Sequence, residues 1–179
     1  MSLMNKKYKE EVVPALKAAL SYSNVMQVPK ITKIVISTGI SSEKERDAFT
    51  EAKAQLALIA GQAPVITKAK KNISNFKLRV GMPVGAMVTL RNSRMYDFLD
   101  RLVHNTLPRV RDFRGVSSKG YDGSGNYNMG LQDVTVFTEV DPDKLKHQFG
   151  LNITIVTTAK TDKEAHELLK LMEIPFKEN

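Results

Sequence analysis

Three segments of this chain alternate apolar and polar residues with a period of two, and nothing else in it constrains the fold as tightly. In ITKIVIST, which follows Pro29, Ile34 and Ile36 share one face while Lys33 and Ser37 point the other way. Further on, Val84, Ala86, Val88 and Leu90 face one side, with Thr89 and Arg91 on the other. Near the end, Leu151, Ile153 and Ile155 oppose Asn152, Thr154 and Thr158. Each segment reads as a strand with one face for a core and one face of hydroxyls, amides and cations.

Helices are needed to cover the apolar face, and the intervening segments supply them. Asn5 to Leu20 carries Val12, Leu16 and Leu20 at helical spacing, and at Pro14 the helix either kinks or begins anew. Ser42 and Glu45 form a capping box before a helix that sets Phe49, Ala52, Leu56 and Ile59 on one face and stops at Gly61. Glu43, Glu45, Asp47 and Glu51 on its other face read as a solvated surface. The clearest helix holds Met95, Phe98, Leu99, Leu102 and Val103, capped by Asn92 or Ser93 and ended before Pro108. The last opens with a second capping box, Thr161 to Glu164, and buries Ala165, Leu168, Leu169 and Met172.

Further strands are expected at Pro64 to Lys68 and Leu131 to Thr138. The last two strands, Leu131 to Thr138 and Leu151 to Thr158, lack the long crossover that a parallel pair requires. The expected fold is therefore α+β: a mainly antiparallel sheet, helices on one face, the opposite face open, in a ferredoxin-like, split βαβ arrangement. At 179 residues, with neither a linker nor an internal repeat, the chain is expected to form a single domain over residues 1–179.

Charge narrows the function. The formal net charge is +8, which favours an anionic partner, nucleic acid before membrane. The charge is clustered: ITKAKKNISNFKLRVGM, Ile66 to Met82, holds Lys68, Lys70, Lys71, Lys77 and Arg79 with no acid and one aromatic, Phe76. Cations beside a ring suit a polyanion whose bases can stack, which is RNA more readily than duplex DNA. This basic loop, near residues 69–83, is followed by a second long loop near 109–130, rich in Gly, Ser and Arg. Loops of that length are usually functional or disordered, and Phe113, Tyr121 and Tyr127 are anchors that disordered linkers lack. Arg109, Arg111 and Arg114 add planar donors for phosphate.

Other classes find no support. There is no cysteine, so disulfides and thiolate metal sites are excluded. No window approaches the about 18 apolar residues of a membrane span, and MSLMNKKYKEEVV has no secretory h-region. A cytoplasmic, membrane-free protein is expected. His104, His147 and His166 are scattered, no nucleophile elbow or phosphate loop occurs, and Asp141-Pro142-Asp143 reads as helix-start chemistry. The glycines at 123, 125 and 130 break the G-x-G-x-x-G spacing. No enzyme, cofactor or metal is expected. A free RNA chaperone or regulator, and an enzyme acting on nucleic acid, remain competing classes.

Several motifs together carry a resemblance. Gly61-Gln62, Pro64, Ile66 to Lys71, Ser74 to Lys77 and Arg79 are joined by Val88 to Arg91, Pro108 to Gly115, Gly125 to Tyr127 and Thr157 to Lys160. With Met26 to Pro29 and Pro175-Phe176, the set spans nearly the whole chain and resembles the bacterial large-subunit ribosomal protein L5 family, which binds 5S ribosomal RNA. The resemblance implies a structural, translation-related ribonucleoprotein role in the large subunit, attaching 5S rRNA to the central protuberance. It puts Lys33, Ser37, Gln62, Thr89 and Arg91 forward for 5S rRNA. Lys70, Lys71, Asn72, Asn75, Phe76, Lys77 and Arg79 are put forward for a loop reaching P-site tRNA. Arg109, Arg111, Arg114 and Tyr127 are expected to make further RNA or partner contacts. Large-subunit rRNA, neighbouring ribosomal proteins and a small-subunit head protein across the inter-subunit bridge complete the implied partners. Three positions depart from the family pattern: Ser37 stands where Asn is usual, Ser124 replaces Arg, and Phe149 stands where Arg often precedes Gly150.

Overall fold

A computed structural model describes residues 3–40 and 46–177. The capping box at Ser42 and Glu45, with Glu43, lies outside them. The fold is α+β, an open antiparallel sheet of five strands accompanied by helices. The strands are β1 (Ile31–Gly39), β2 (Val65–Lys68), β3 (Pro83–Leu90), β4 (Tyr127–Leu131) and β5 (Leu151–Thr157), in the spatial order β2-β3-β1-β5-β4. The first four positions reproduce the split βαβ order. The helix α3 (Arg46–Ala60) joins β1 to β2, and β3 lies between those two strands. β4 is added beyond β5 at the far edge.

By compactness the chain forms two units, residues 1–34, 91–129 and 154–179 in the first, and 35–90 with 130–153 in the second. In the first, α1 (Leu3–Lys7) leads through a π turn at Tyr8–Val12 into α2 (Val13–Ala19). Pro14 sits in the opening turn of α2, and the backbone stays helical across the junction, with Val13 N–H donating to the Tyr8 carbonyl, so the proline is accommodated by the π turn and the helix does not start anew. Met4, Val12 and Leu16 are buried, and the Tyr8 hydroxyl donates to the Pro29 carbonyl at 3.0 Å. The helix α4 (Asn92–Arg101) buries Met95, Tyr96, Phe98 and Leu99 and continues through a π turn, Leu102–Thr106, into a 3-10 turn at Leu107–Arg109. Its N-cap is Arg91, in an extended conformation and without a side-chain cap, so neither Asn92 nor Ser93 takes that role. The helix α5 (Asp162–Leu171) opens as expected, with Thr161 Oγ1 accepting from the Glu164 N–H at 3.4 Å.

In the second unit α3 packs on β2 and β3 with Phe49, Ala52, Leu56 and Ile59 buried. It ends at Gly61, whose φ of +62° closes the helix in the left-handed region. Gly85 brings β3 against β1 so closely that a Cβ there would collide with the Thr38 carbonyl. Two expectations are corrected in this unit. Glu51 is no solvated residue: its side chain is 15% exposed and accepts from the Lys146 N–H at 2.7 Å while meeting His147 Nδ1 at 2.9 Å. The strand expected over 131–138 is displaced to β4, and Val134–Val136 is a 3-10 turn capped by Asp133, whose Oδ1 accepts from the Thr135 N–H at 2.9 Å. Burial of Val134 and Phe137 explains why that stretch is apolar without being a strand.

Candidate nucleic-acid interface

Burial along the strands separates the two sheet faces as the alternation requires. Ile34, Ile36, Ala86, Val88, Leu90, Leu151, Ile153 and Ile155 are buried. Lys33, Ser37, Thr89 and Thr154 are half-buried, and Asn128 and Asn152 exposed, on the opposite face. In the second unit Gln62 Nε2 donates to the Thr89 carbonyl at 3.2 Å, which places these two candidates side by side with Ser37 on the neighbouring strand. In the first unit Lys33 and Arg91 have no carboxylate partner among the described residues, and Arg91 is exposed directly after β3.

The expected residue set missed three members of that face. Val65 and Met87 are register partners across β2 and β3, both exposed, on the same side as Thr89. In the first unit Thr154 Oγ1 donates to Asn128 Oδ1 at 2.7 Å. Period two alone would have found Met87, two residues before Thr89; Asn128 and Val65 required the pairing.

The basic segment is an ordered hairpin that prolongs β2 and β3. Ala69 N–H donates to Met82 O at 2.8 Å and Gly81 N–H to Ala69 O at 3.0 Å. Ile73 and Leu78 exchange two backbone hydrogen bonds of 3.0 Å, closing on a 3-10 turn at Ser74–Phe76 and on Lys77 at φ +51°. Asn72 has a structural share in this: its Oδ1 accepts from the Val80 N–H at 2.8 Å, and its NH2 remains as a donor for a partner. Lys70, Lys71, Asn75, Phe76, Lys77 and Arg79 are all exposed. Among the described residues no carboxylate pairs with Lys70, Lys71 or Arg79.

The second long loop, in the first unit, is built differently. Arg109, Arg111 and Arg114 are exposed. Tyr127, expected at an interface, is 1% exposed, and its hydroxyl donates to the Ser117 carbonyl at 2.6 Å. Its ring packs 4.9 Å from Tyr121 and edge-on to Phe176 at 5.5 Å, and burial pushes its phenol up to about 12. Tyr127 is thus a core residue, corrected from a contact residue. Tyr121 and His166 share a hydrogen bond of 3.2 Å, and His166 lies 4.5 Å from Phe176. At the loop's tip Asp122 accepts from the backbone of Ser124 (2.9 Å) and Asn126 (3.0 Å) and from Asn126 Nδ2 (2.7 Å). That Asn126 amide, first among these donors, holds the Asp122 carboxyl below the usual carboxylate range.

The histidines are occupied locally: His104 bridges Asp100 and Glu173, and His147 meets Glu51. Among the described residues no cluster of His, Cys, Asp or Glu could hold a metal, and no helix is long and apolar enough to cross a membrane. Cations without carboxylate partners, beside an open polar sheet face, define a binding protein for a polyanion.

The family model described as "Ribosomal protein L5" matches residues 24–79, and the model for the C-terminus of the same ribosomal family matches residues 83–176. A protein called "Large ribosomal subunit protein uL5" from Geotalea daltonii is 53% identical over 178 residues, covering 99% of both chains. Its namesake from Desulfotalea psychrophila is 55% identical over 178 residues with the same coverage, and that from Halothermothrix orenii 52% over 177 residues, 98% of this chain and 99% of the other. The chain belongs to the ribosomal protein L5 family, which is structural and not enzymatic.

Proposed function

We propose that this chain is a structural constituent of the large ribosomal subunit in the cytoplasm, and that it binds 5S rRNA and attaches it to the central protuberance. The whole chain, 1–179, acts as one RNA-binding protein. Lys33, Ser37, Gln62, Thr89 and Arg91 meet 5S rRNA; the basic hairpin reaches P-site tRNA through Lys70, Lys71, Asn72, Asn75, Phe76, Lys77 and Arg79. Arg109, Arg111 and Arg114 meet further rRNA or neighbouring ribosomal proteins, and a small-subunit head protein is met across the inter-subunit bridge. What carries the reading is that the polar sheet face is left open and that Lys33 and Arg91 have no carboxylate to neutralise them among the described residues. Such cations release counterions when they meet phosphates.

Filter binding of 5S rRNA across a salt series tests it. Affinity falls steeply with salt, each neutralised phosphate adding about 0.7–0.9 to the log–log slope. Thr89→Ala with Arg91→Ala weakens 5S rRNA binding. Lys70→Glu with Lys71→Glu spares it and disturbs tRNA in assembled ribosomes. A flat slope, or equal affinity for any RNA of that length, removes the proposal.

A further inference from the structure

The tip of the basic hairpin is shaped, and its shape is narrower in meaning than its charge. A concave pocket there is lined by Asn72, Ser74, Lys77, Leu78 and Arg79. Its polar groups are donors: the Asn72 NH2, left over once Oδ1 has taken the Val80 N–H; the Ser74 hydroxyl; the Lys77 ammonium; and the Arg79 guanidinium. No acid occurs between Ile66 and Met82, so nothing in the hairpin's own sequence repels an anion from the pocket. The pocket is also set in place before any partner arrives, since the Ile73–Leu78 pair, the Asn72–Val80 bond and the Ser74–Lys77 turn fix the backbone on both sides. Beside it, within the same turn, Phe76 is 65% exposed, an arrangement unfavourable in water for a ring of that size.

We infer that the tip is a seat for one splayed-out nucleotide: the pocket takes a single phosphodiester, and the neighbouring unstacked base lies on the face of Phe76. A duplex satisfies only half of this, because its phosphates are accessible while its bases are stacked away from the ring. Looped or bulged RNA satisfies both halves. The inference rests on the reading that the hairpin meets RNA, and it adds which kind of RNA element the hairpin selects.

The full chain is titrated with three short RNA stems of equal length: a continuous duplex, a stem with one bulged 2-aminopurine, and a stem with an abasic bulge. The unaltered protein prefers the 2-aminopurine stem over the other two by on the order of tenfold, within the range that base–aromatic stacking supplies, and the 2-aminopurine fluorescence is quenched on binding. Phe76→Leu abolishes the preference and the quenching while keeping the affinity for duplex; Phe76→Tyr, which keeps the ring, retains both. Arg79→Gln lowers the salt slope for the bulged stem by about 0.7–0.9. Equal binding of all three stems by the unaltered protein, or an undiminished preference in Phe76→Leu, overturns the seat. Failure of the underlying reading looks different: Lys70→Gln with Lys71→Gln then leaves the affinity for every stem unchanged.

Discussion

Two long loops of this protein carry exposed cations, and they are held in opposite ways. The hairpin at 69–82 is closed by backbone hydrogen bonds and by one amide, Asn72, while its apolar side chains Ile73, Phe76 and Val80 stay exposed. The loop at 109–126 is closed by side chains: Tyr121, Tyr127, His166 and Phe176 pack on one another, and Val116 pairs with the chain at Phe176. In the first, ordering runs through the backbone and leaves those side chains exposed. In the second, ordering consumes the aromatics and leaves only the arginines outside. Closure of the hairpin therefore rests on its backbone, with Asn72 shared between closure and recognition, whereas closure of the other loop rests on side chains that neighbour the exposed arginines.

A pair of truncations sharpens this contrast most. Tyr127→Ala costs about 3–5 kcal/mol, the usual range for emptying a fully buried aromatic site, seen as a lower urea midpoint. Phe76→Ala moves that midpoint by less than about 0.5 kcal/mol, as for other surface changes. A comparable loss of stability from both would break the comparison. Next in size is Tyr127→Phe, which strands the Ser117 carbonyl and costs about 1 kcal/mol, near the net worth of one hydrogen bond; the same denaturation series measures it. The last effect is absent at neutral pH. Burial raises the Tyr127 phenol from 10.0 to about 12, so the unfolded chain loses its proton first. The contribution is whole below pH 10 and declines as pH rises towards 12. Alkaline unfolding followed with Tyr127→Phe alongside shows that decline reduced in the variant.

Much of this was legible in the sequence because it is local. The alternation in β1, β3 and β5 sorted the faces correctly, and Gly61 marked the end of α3 at the residue where φ turns positive. What was not legible depends on distant partners. YNMGL, with Asn128 and Gly130, has weak strand preference and becomes β4 by pairing beside β5, whereas the branched Val134–Val136 is diverted into a turn by its Asp133 cap. Tyr127 was legible as an anchor but not as a buried one, since only the approach of Phe176 from the far end of the chain closes over it. Glu51 likewise reads as solvated until Lys146 and His147 arrive from 95 and 96 residues away. On the interface, charge alone pointed to the hairpin, while the apolar pair Val65 and Met87 emerged only with the register.

At one edge of the sheet β2 is four residues long, slips register between Thr67 and Lys68, and ends on that lysine. A long bare strand margin would let two copies of a chain zip together through their unpaired backbone groups. So brief an edge, bent at its end and tipped with a positive charge, gives a second copy little to grip.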